Sequence, residues 1–574
     1  MRSRSLLSVF ISLLTVLTVL AITASSGGPA SAARSSGPAL AARSSPGAAS
    51  LPVTGGTFGV PARYTRGKGD TFFNTWAADG NIYATSDDTS GFNGTCNSDI
   101  AINELAGNDP TQLTAPFVNC MTSFGYKADV AQMPDRCSWK SGGIISVSGT
   151  LYLAVSRQGW TGACKNESNG EQPSLNASIV KSTNGGRTWS NGFGITANAG
   201  GAAPRWNASR GRVQAMFPGQ AFSAPFFINY GQNDNPASTA DGGNQYVYAV
   251  SNDGYAYDGN YLILGRVLRS KIGNLNAADW QFYTGPPGGD GSNPADWSAH
   301  VSAATHILTA PHQISQPDIQ YYPALHSYIL TSSYFPFTPA WPSGRSAHSS
   351  TFSFYEAPHP WGPWTQFLSK PVTMTVCYID CQAENTMPLG LYDVAQVSKF
   401  ARIDGLSDTI FISGDFADPA RYGDPQLYAL HALPLTLSSS LYQVTDDFSP
   451  AITYQGSWST SSPEQLGTGG QADYLDETLH SSGTPGNSAR FTFTGTSIQW
   501  IGSTNRDHGY ARVSVDGGAP VTVDTYSPQW DKQRVLFEKD GLTPGTHTVT
   551  ITVTSGKNAA SSGTHQDIDA FVAW

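Results

Sequence analysis

The chain has 574 residues, a formal net charge of -10 and only 13% charged residues. This length exceeds what one hydrophobic core can serve, so at least two domains are predicted. Abundant Gly and aromatic residues favour short strands joined by turns over helical bundles. The acidic balance and the lack of a basic run in the mature chain exclude a phosphate-backbone partner, so no nucleic acid is expected to bind.

The N-terminus has the layout of a secretory signal peptide. Arg2 and Arg4 precede an uncharged apolar run that ends near Ala24, and small residues follow as far as Ala32. This order predicts a signal peptide over residues 1–32. An uncleaved anchor is the alternative, because the run nearly reaches the roughly 18 residues that span a bilayer. Residues 33–56 predict a disordered leader, so we expect a secreted, extracellular protein with no integral membrane span in its mature chain.

Residues 57–441 alternate short apolar runs with Gly, Asp and Asn, the pattern of strands separated by turns. Within them, the segment Val180–Trp189 resembles the Asp-box hairpin of sialidases and other propellers, with Asn184 where that pattern has Asp. In that motif the polar residue closes the turn and the Trp packs between blades, so we expect an architectural role. The region is predicted to be a β-propeller catalytic domain, with five blades preferred among the four to eight that propellers show.

Residues 446–574 alternate polar and apolar positions more cleanly, which predicts an antiparallel β-sandwich of the jelly-roll type. The whole chain is therefore predicted to be all-β. Arg506, Asp507, His508 and Trp530 fall in two presumed loops that combine polar side chains with an aromatic ring, which indicates auxiliary glycan binding. The alternative is that Trp530 belongs to the core and the module is a spacer.

The chain has an even number of cysteines, which in an exported protein favours disulfides over metal ligation. They are Cys96, Cys120, Cys137, Cys164, Cys377 and Cys381. Several pairings are possible, and the last two are close enough to staple one loop. No metal-binding or cofactor-binding motif is found, so no cofactor is predicted, structural calcium is left open, and we expect a monomer.

Hydrolysis by paired carboxylates is the remaining common chemistry for such a protein. Two strand patterns flank Asp79-Gly80, a strong hairpin signal. A two-residue loop places Asp70 opposite about position 89, and a bulge or a longer loop makes Asp88 its partner. Cross-strand neighbours lie roughly 5 Å apart at Cβ, so two such acids would repel and raise one pKa, as a catalytic acid requires. Asp70 and Asp88 are therefore the predicted catalytic residues, the alternative being turn or cap residues, and Asp87 could orient Asp88.

Further residues are candidates for contact with substrate. Asp318 follows His312 and Gln316 and could bind substrate or supply a third carboxylate. Trp76 could stack on a sugar ring, although Trp in propellers is more often part of the core. Together with Asp87, these four residues form the predicted substrate-binding set.

Three segments resemble the secreted endo-D-arabinanase-like propeller family, glycoside hydrolase family 183, formerly a domain of unknown function. They are residues 69–88, residues 316–324 and residues 354–364. The resemblance implies catalytic roles for Asp70 and Asp88, and the C-terminal module resembles galactose-binding-like sandwiches. The sequence departs from the family pattern at Ala78, where an additional Asp is frequent, and in long Cys-bearing insertions over residues 95–164.

The leading hypothesis is an exported endo-acting glycoside hydrolase that uses two carboxylates to cleave arabinofuranosyl linkages. D-arabinan of mycobacterial-type arabinogalactan or lipoarabinomannan is the implied polysaccharide substrate. One alternative is a glycosidase or a lyase acting on another polysaccharide, where a lyase could use His312 and Arg345. Another is a non-catalytic propeller that only binds glycan.

Overall fold

The computed structural model describes residues 53–574 except 65, 126–134, 159–163, 165–172, 192–202, 205, 239, 257–258, 335–349, 378–383, 389–390, 403–405, 415–427, 440–442, 462–473 and 476–477. The predicted signal peptide, most of the predicted leader, and Arg345 lie outside the described residues. The described residues all belong to one compact unit, 48–574. Their regular structure is β-strand with short 3-10 helices, which confirms the all-β prediction.

The strands up to residue 439 fall into five successive groups of mostly antiparallel strands, of which the third and fourth are joined into one sheet by the parallel pairing of their first strands. Two N-terminal strands, β1 (Val53–Phe58) and β2 (Ala62–Arg63), come first in the chain. Group 1 contains β3 (Lys68–Asp70), β4 (Asn74–Trp76), β5 (Ile82–Gly91), β6 (Ser98–Ala106) and β7 (Thr114–Asn119). Group 2 contains β8 (Ser138–Val147), β9 (Thr150–Gln158), β10 (Leu175–Ser182) and β11 (Ser190–Asn191), followed by a ribbon of β12 (Trp206–Asn207) and β13 (Arg212–Val213).

Group 3 contains β14 (Phe226–Asn229), β15 (Tyr246–Asn252), β16 (Gly259–Leu268), β17 (Trp280–Tyr283), β18 (Trp297–Ser298) and β19 (Leu308–Ile314). Group 4 contains β20 (Asp318–Tyr322), β21 (Ser327–Tyr334), β22 (Ser350–Ala357), β23 (Thr365–Cys377) and β24 (Glu384–Pro388). Group 5 contains β25 (Leu391–Gln396), β26 (Ser407–Gly414) and β27 (His431–Ser439). The 3-10 helices are Thr122–Phe124, Gln232–Asp234, Ala240–Gly242, Ile272–Asn274, Ala277–Asp279, Pro294–Asp296, Val301–Ala303 and Pro323–Leu325.

The five groups contact one another in a closed ring through their first strands. Groups 1 and 2 meet where Ser146 N donates to Thr75 Oγ1 at 3.0 Å, and groups 2 and 3 where Gly143 N donates to Pro225 O at 2.9 Å. Groups 3 and 4 are joined by the parallel pairing of β14 with β20. Group 5 meets group 4 where Gln396 N donates to Asp318 Oδ2 at 2.8 Å, and it meets group 1 where Thr71 N donates to Asp393 Oδ2 at 3.0 Å. A ring of sheets whose inner strands surround a central channel is a β-propeller.

The N-terminal strand closes the ring. β1 pairs with β27, so residues from the two ends of the ring share group 5. Strand β1 begins at Val53, inside the segment that the sequence assigns to the leader as far as residue 56. That boundary is corrected because Gly55 and Gly56 pair with residues 437 and 438 through their backbones, an interaction that composition does not reveal.

The Asp-box-like hairpin is present between β10 and β11. Asn184 Oδ1 accepts hydrogen bonds from the amide of Thr188 and the hydroxyl of Ser182, each at 3.0 Å. Trp189 is only 1% exposed and packs in one cluster with Ile102 of group 1 and with residues of group 2. The polar residue therefore closes the turn and the Trp joins two neighbouring groups, as predicted.

Replacing Asn184 by Ala is expected to lower the free energy of unfolding by about 0.5–1.5 kcal/mol, because two turn hydrogen bonds lose their acceptor. Urea unfolding of the two proteins measures this difference. Asn184→Asp, which restores the residue of the common motif and keeps the acceptor, is the matched control and should stay within about 0.5 kcal/mol of the wild type. Equal losses in both variants would contradict the assigned role.

The C-terminal module is a β-sandwich. Its strands are β28 (Gln443–Asp446), β29 (Ile452–Gln455), β30 (Ser459–Ser461), β31 (Leu479–Ser482), β32 (Ser488–Gly495), β33 (Ile498–Thr504), β34 (Tyr510–Val515), β35 (Val521–Asp524), β36 (Asp531–Lys539), β37 (Gly545–Val553), β38 (Gln566–Ile568) and β39 (Ala570–Ala573). One sheet has the order β29-β32-β37-β34-β35, another has the order β28-β39-β33-β36, and β30-β31-β38 form a small third sheet. Phe491, Trp500 and Phe571 belong to its buried core. The module begins at Gln443, three residues before the predicted start at 446, because β28 pairs with β39.

Two disulfides, Cys96–Cys120 and Cys137–Cys164, hold the loops of the first two groups. The predicted staple between Cys377 and Cys381 lies outside the residues whose side chains are described. A search for long apolar helices among the described residues finds none that could cross a membrane.

Candidate active site

The predicted hairpin is formed by β3 and β4 on one side and β5 on the other, and its register brings acids together at its open end. Trp76 pairs with Ile82 next to the turn, and Asp70 pairs with Asp87 at the other end. Regular pairing from the turn onward would place Asp70 opposite Asp88. Thr71 (φ 58°) and Asp88 (φ 42°) adopt left-handed backbone conformations, which mark local irregularities of the kind that re-aim side chains. The partner of Asp70 is thus Asp87 rather than the predicted Asp88.

Asp70 lies at the inner edge of group 1 and is 7% exposed. The hydroxyl of Tyr392, on the first strand of group 5, donates to Asp70 Oδ2 at 2.6 Å. Burial raises the pKa of Asp70 to about 6, with a further contribution from the charge of Asp88, while Lys140 and hydrogen bonds from Tyr392 and Tyr428 oppose the rise. A carboxyl with this pKa carries a proton in mildly acidic solution.

Two more carboxyls, those of Asp87 and Asp99, interact with Lys140 and Asp88 of the same cluster. Asp87 is completely buried, and its Oδ2 accepts the amide of Ser141 at 2.9 Å. Burial raises the pKa of Asp87 well above its usual range, with Lys140 opposing. Asp99, on β6, is 1% exposed, and burial raises its pKa to about 7. Neither side chain has the exposure that direct contact with a polysaccharide needs.

Lys140 is the cation of the cluster. Its Nζ lies 2.5 Å from Asp88 Oδ2, and the two side chains are 12% and 31% exposed. Burial by itself would lower the pKa of Lys140, but the negative charges of Asp88, Asp87 and Asp70 outweigh it and raise that pKa above its ordinary value. Asp88 is thus the most accessible acid of the cluster and is held in an ion pair beside the more buried, proton-binding Asp70.

Sequence reasoning found Asp70, Asp87 and Asp88 but missed Lys140, Asp99 and the tyrosines at positions 392 and 428. The sequence contained a signal for Lys140 and Asp99. Lys140 and Asp99 are charged residues within strands whose neighbours are nearly all buried, and a charge in such a position is rare unless it is paired. The tyrosines come from group 5, more than 300 residues along the chain from Asp70, so no local pattern links them to the hairpin.

Asp318 lies deeper in the ring than the acid cluster. Its carboxylate accepts the amide of Gln396 at 2.8 Å, and the carbonyl of Gln396 accepts Asn74 Nδ2 at 3.1 Å. Asn74 is four residues further along the inner strand than Asp70, so the structure does not bring Asp318 to the two predicted catalytic acids. Burial raises the pKa of Asp318 to about 7, against hydrogen bonds from Gln396.

The other predicted contact residues are dispersed. Gln316 is 4% exposed and lies just before β20. His312 is exposed on β19, which pairs with β16 of group 3. Trp76 is at the turn end of the inner strand, six residues from Asp70, or roughly 20 Å away at strand spacing. Their roles in substrate binding stay predictions.

In the sandwich, the predicted glycan-binding loops differ in exposure. Arg506 is exposed, and its Nε donates to the carbonyl of Pro528 at 2.7 Å. Asp507 is half-buried, whereas His508 is only 5% exposed, with Nδ1 3.0 Å from the carbonyl of Ser503. Trp530 is 47% exposed and is therefore not a core residue. Among the described residues, no cluster of His, Cys, Asp and Glu has a metal-binding arrangement.

Part of the C-terminal module matches a known family. Residues 468–565 match the family model described as Carbohydrate esterase 2 N-terminal. The A type blood N-acetyl-alpha-D-galactosamine deacetylase of Flavonifractor plautii is 33% identical over 115 residues, which are 20% of this chain and 14% of that protein. The chain thus matches only a small part of the length of this curated relative.

Two solved structures are similar over more of the chain. One is a putative hydrolase from Bacteroides ovatus, with a TM-score of 0.38 and 11% identity, covering 65% of this chain and 87% of that one. The other is an exo-beta-1,3-galactanase from Phanerochaete chrysosporium, with a TM-score of 0.29 and 11% identity, covering 88% of this chain and 99% of that one.

These findings show that the resemblance to the endo-D-arabinanase-like family is wrong. The matched family model is that of carbohydrate esterase 2 N-terminal domains, and the curated relative named above is a deacetylase. The motifs behind that resemblance serve packing: Tyr322 and Trp361 are 2% and 4% exposed, and Trp361 Nε1 donates to the carbonyl of Gly289. Segments that build blades can recur in propellers of different function, so D-arabinan is not retained as the substrate.

Proposed function

We propose that the chain is an exported carbohydrate-active hydrolase whose propeller cleaves glycosidic bonds in a polysaccharide. Asp70 serves as the general acid, and Asp88 serves as the second carboxylate, acting as base or nucleophile. The five strand groups act as five blades, and the jelly-roll-like C-terminal module is an auxiliary carbohydrate-binding domain. The signal peptide predicted over residues 1–32 favours release from the cell.

One observation carries this proposal: two carboxyls at the same opening of the ring have opposite environments. Asp70 is buried, with its pKa raised to about 6, whereas Asp88 is more accessible and forms an ion pair with Lys140. Glycoside hydrolysis needs one carboxyl that donates a proton to the leaving oxygen and one carboxylate that acts at the sugar. A buried carboxyl with a raised pKa beside an accessible carboxyl held in an ion pair matches these two roles.

The same cluster disfavours a lyase at this site. A lyase acting on a uronate needs a base together with positive charge that neutralises the sugar carboxylate. Here the ammonium of Lys140 is already surrounded by Asp70, Asp87 and Asp88, and their negative charge would repel a uronate. A neutral polysaccharide is therefore the preferred substrate of the acid cluster.

The C-terminal module supports action on carbohydrate in a second way. Its matched family model belongs to a carbohydrate esterase family, and its curated relative acts on N-acetyl-alpha-D-galactosamine. Because the family-model match lies at residues 468–565, it supports glycan binding by the sandwich, and the proposed cleavage is assigned to the propeller.

The proposal is tested by incubating the purified chain with neutral galactans, mannans and xylans and measuring new reducing ends and product lengths. We expect hydrolysis of at least one polysaccharide, and a rate at least about 10²-fold lower with the Asp70→Asn variant. Products that absorb as unsaturated uronates, or activity that Asp70→Asn retains, would contradict the proposal.

The rate of hydrolysis is expected to fall as the pH rises through about 6, because Asp70 must be protonated to act as an acid. The hydroxyl of Tyr392 stabilises the charged form of Asp70. Tyr392→Phe should therefore raise the pKa of Asp70 and move the descending limb of the pH profile of kcat/KM to higher pH. A limb that stays in place or moves to lower pH would contradict the assignment of Asp70 as the acid.

A further inference from the structure

A cavity of about 480 Å³ lies between the propeller and the sandwich. Trp76, Tyr230 and Gln320 contribute to its propeller side, and residues 530–535 of the sandwich form the other side. Its volume is in the ~300–1,000 Å³ range of small-molecule sites. Asp70 ends β3 and Trp76 ends β4, and both strands pair along β5, Asp70 with Asp87 and Trp76 with Ile82. The cavity and the acid cluster therefore lie near opposite ends of β5.

Aromatic rings line both sides of the cavity. Trp530 comes from the sandwich, and Trp76, Tyr230 and Tyr321 come from the propeller. Trp530 is 47% exposed, and Lys532 Nζ lies 4.6 Å from the centre of its ring. Trp76 and Tyr321 are half-buried, and Tyr230 is only 2% exposed. Trp530, Trp76 and Tyr321 therefore offer the ring surface that suits the apolar faces of sugars.

The charge of the lining is opposite to that of the chain. Lys399, Arg402, Lys532 and Arg534 line the cavity, and Asp531 is the one carboxylate among its described lining residues. The whole chain carries a net charge of -10. A concave site lined by one sign of charge focuses the field and attracts ligands of the opposite sign, so the cavity suits an anionic ligand.

Buried polar atoms of several lining residues, those of Gln320, Trp76 and Ser398 among them, have no hydrogen-bond partner in the described part of the chain. Gln320 is 3% exposed, and its Oε1 has no partner in the described structure; the same is true of Trp76 Nε1. Buried polar groups in native proteins are nearly always satisfied, by water or ligand where protein does not suffice. An unsatisfied amide oxygen in a residue that lines the cavity can accept a hydrogen bond from a ligand with hydroxyl groups.

We infer that this cavity is a second saccharide site, formed jointly by the propeller and the sandwich, that binds a uronate-bearing oligosaccharide. The aromatic rings contact the sugar faces, the cations neutralise the carboxylates, and the buried amide contacts a hydroxyl. This inference goes beyond the proposed hydrolysis, because the acid cluster near the other end of β5 favours a neutral chain.

The test uses the full-length Asp70→Asn protein, so that binding is measured without turnover. Trigalacturonate and a glucuronate-containing tetrasaccharide are titrated by calorimetry and Trp fluorescence, with galactotriose and inorganic phosphate as comparison ligands. At least one uronate probe is expected to bind, and at least about tenfold more tightly than either comparison ligand. The inference is overturned if neither uronate probe binds, or if galactotriose or phosphate binds with the same affinity as the uronate probes.

Substitutions of cavity-lining residues test whether the uronate binds in this cavity. Trp530→Ala and Arg534→Ala are each expected to weaken uronate binding by at least about tenfold, and added salt should weaken it further. The controls remove an exposed aromatic ring or cation elsewhere on the sandwich: Phe448→Ala and Lys557→Ala should leave affinity unchanged. Unchanged affinity in Trp530→Ala would place the site elsewhere, whatever the result of the hydrolysis assays.

Discussion

Asp70→Asn and Asp88→Asn are each expected to lower kcat for polysaccharide hydrolysis by at least about 10²-fold, because each removes a group that transfers a proton or acts at the sugar in the transition state. Asn retains the shape of the side chain, and at position 70 it still offers an acceptor to the hydroxyl of Tyr392. The fold should therefore survive. Initial rates and thermal unfolding, measured on the same preparations, separate loss of chemistry from loss of structure.

The double variant and a matched control sharpen this test. Because the two acids act in one reaction, Asp70→Asn combined with Asp88→Asn should be little worse than the poorer single variant. Asp109→Asn changes an acid of the same group that only caps the turn before β7, where its Oδ1 accepts the amide of Thr111 at 2.8 Å. It should retain nearly full activity. If the kcat losses of the single variants simply multiply in the double variant, the assignment of the two acids to one reaction is contradicted. An equal loss in Asp109→Asn would contradict it as well.

The architecture was largely accessible from the sequence because it depends on local signals. Alternation, turn residues and the Asn184 hairpin are short-range features, and they predicted an all-β chain with a propeller and a sandwich. The pairing of β1 with β27 was not accessible, because it joins residues about 380 positions apart. Strand β1 is rich in Gly and resembles the predicted leader in composition.

The acid cluster was accessible only in part. The Asp79-Gly80 turn predicted the hairpin and hence two of its acids, but the register depends on Thr71 and Asp88, which adopt left-handed conformations without being Gly. Periodicity cannot locate such irregularities. The cation and the tyrosine donors come from other groups of the ring and meet the hairpin only after it closes, so the electrostatics of the site follow from tertiary structure.

Replacing Lys140, the cation of the acid cluster, is also expected to have a large effect on stability. Lys140→Met is expected to lower the free energy of unfolding by about 3–5 kcal/mol at pH 8, since it leaves buried carboxyls without their partner. Lys140 lowers the pKa values of Asp70, Asp87 and Asp99. Its loss raises those pKa values further above the values in the unfolded chain.

Carboxyls with raised pKa values stabilise the fold when protonated and lose that contribution as the pH rises through the folded-state pKa. The loss of unfolding free energy in Lys140→Met should therefore be smaller at pH 5 than at pH 8. Adding Asp88→Asn to the same chain should restore part of the lost free energy. Lys271→Met removes a cation that is 49% exposed and pairs with Asp279 at 3.2 Å, so it should cost at most about 1 kcal/mol. Urea unfolding at both pH values measures all four proteins, and a deficit independent of pH would show that Lys140 stabilises the fold by packing rather than by charge.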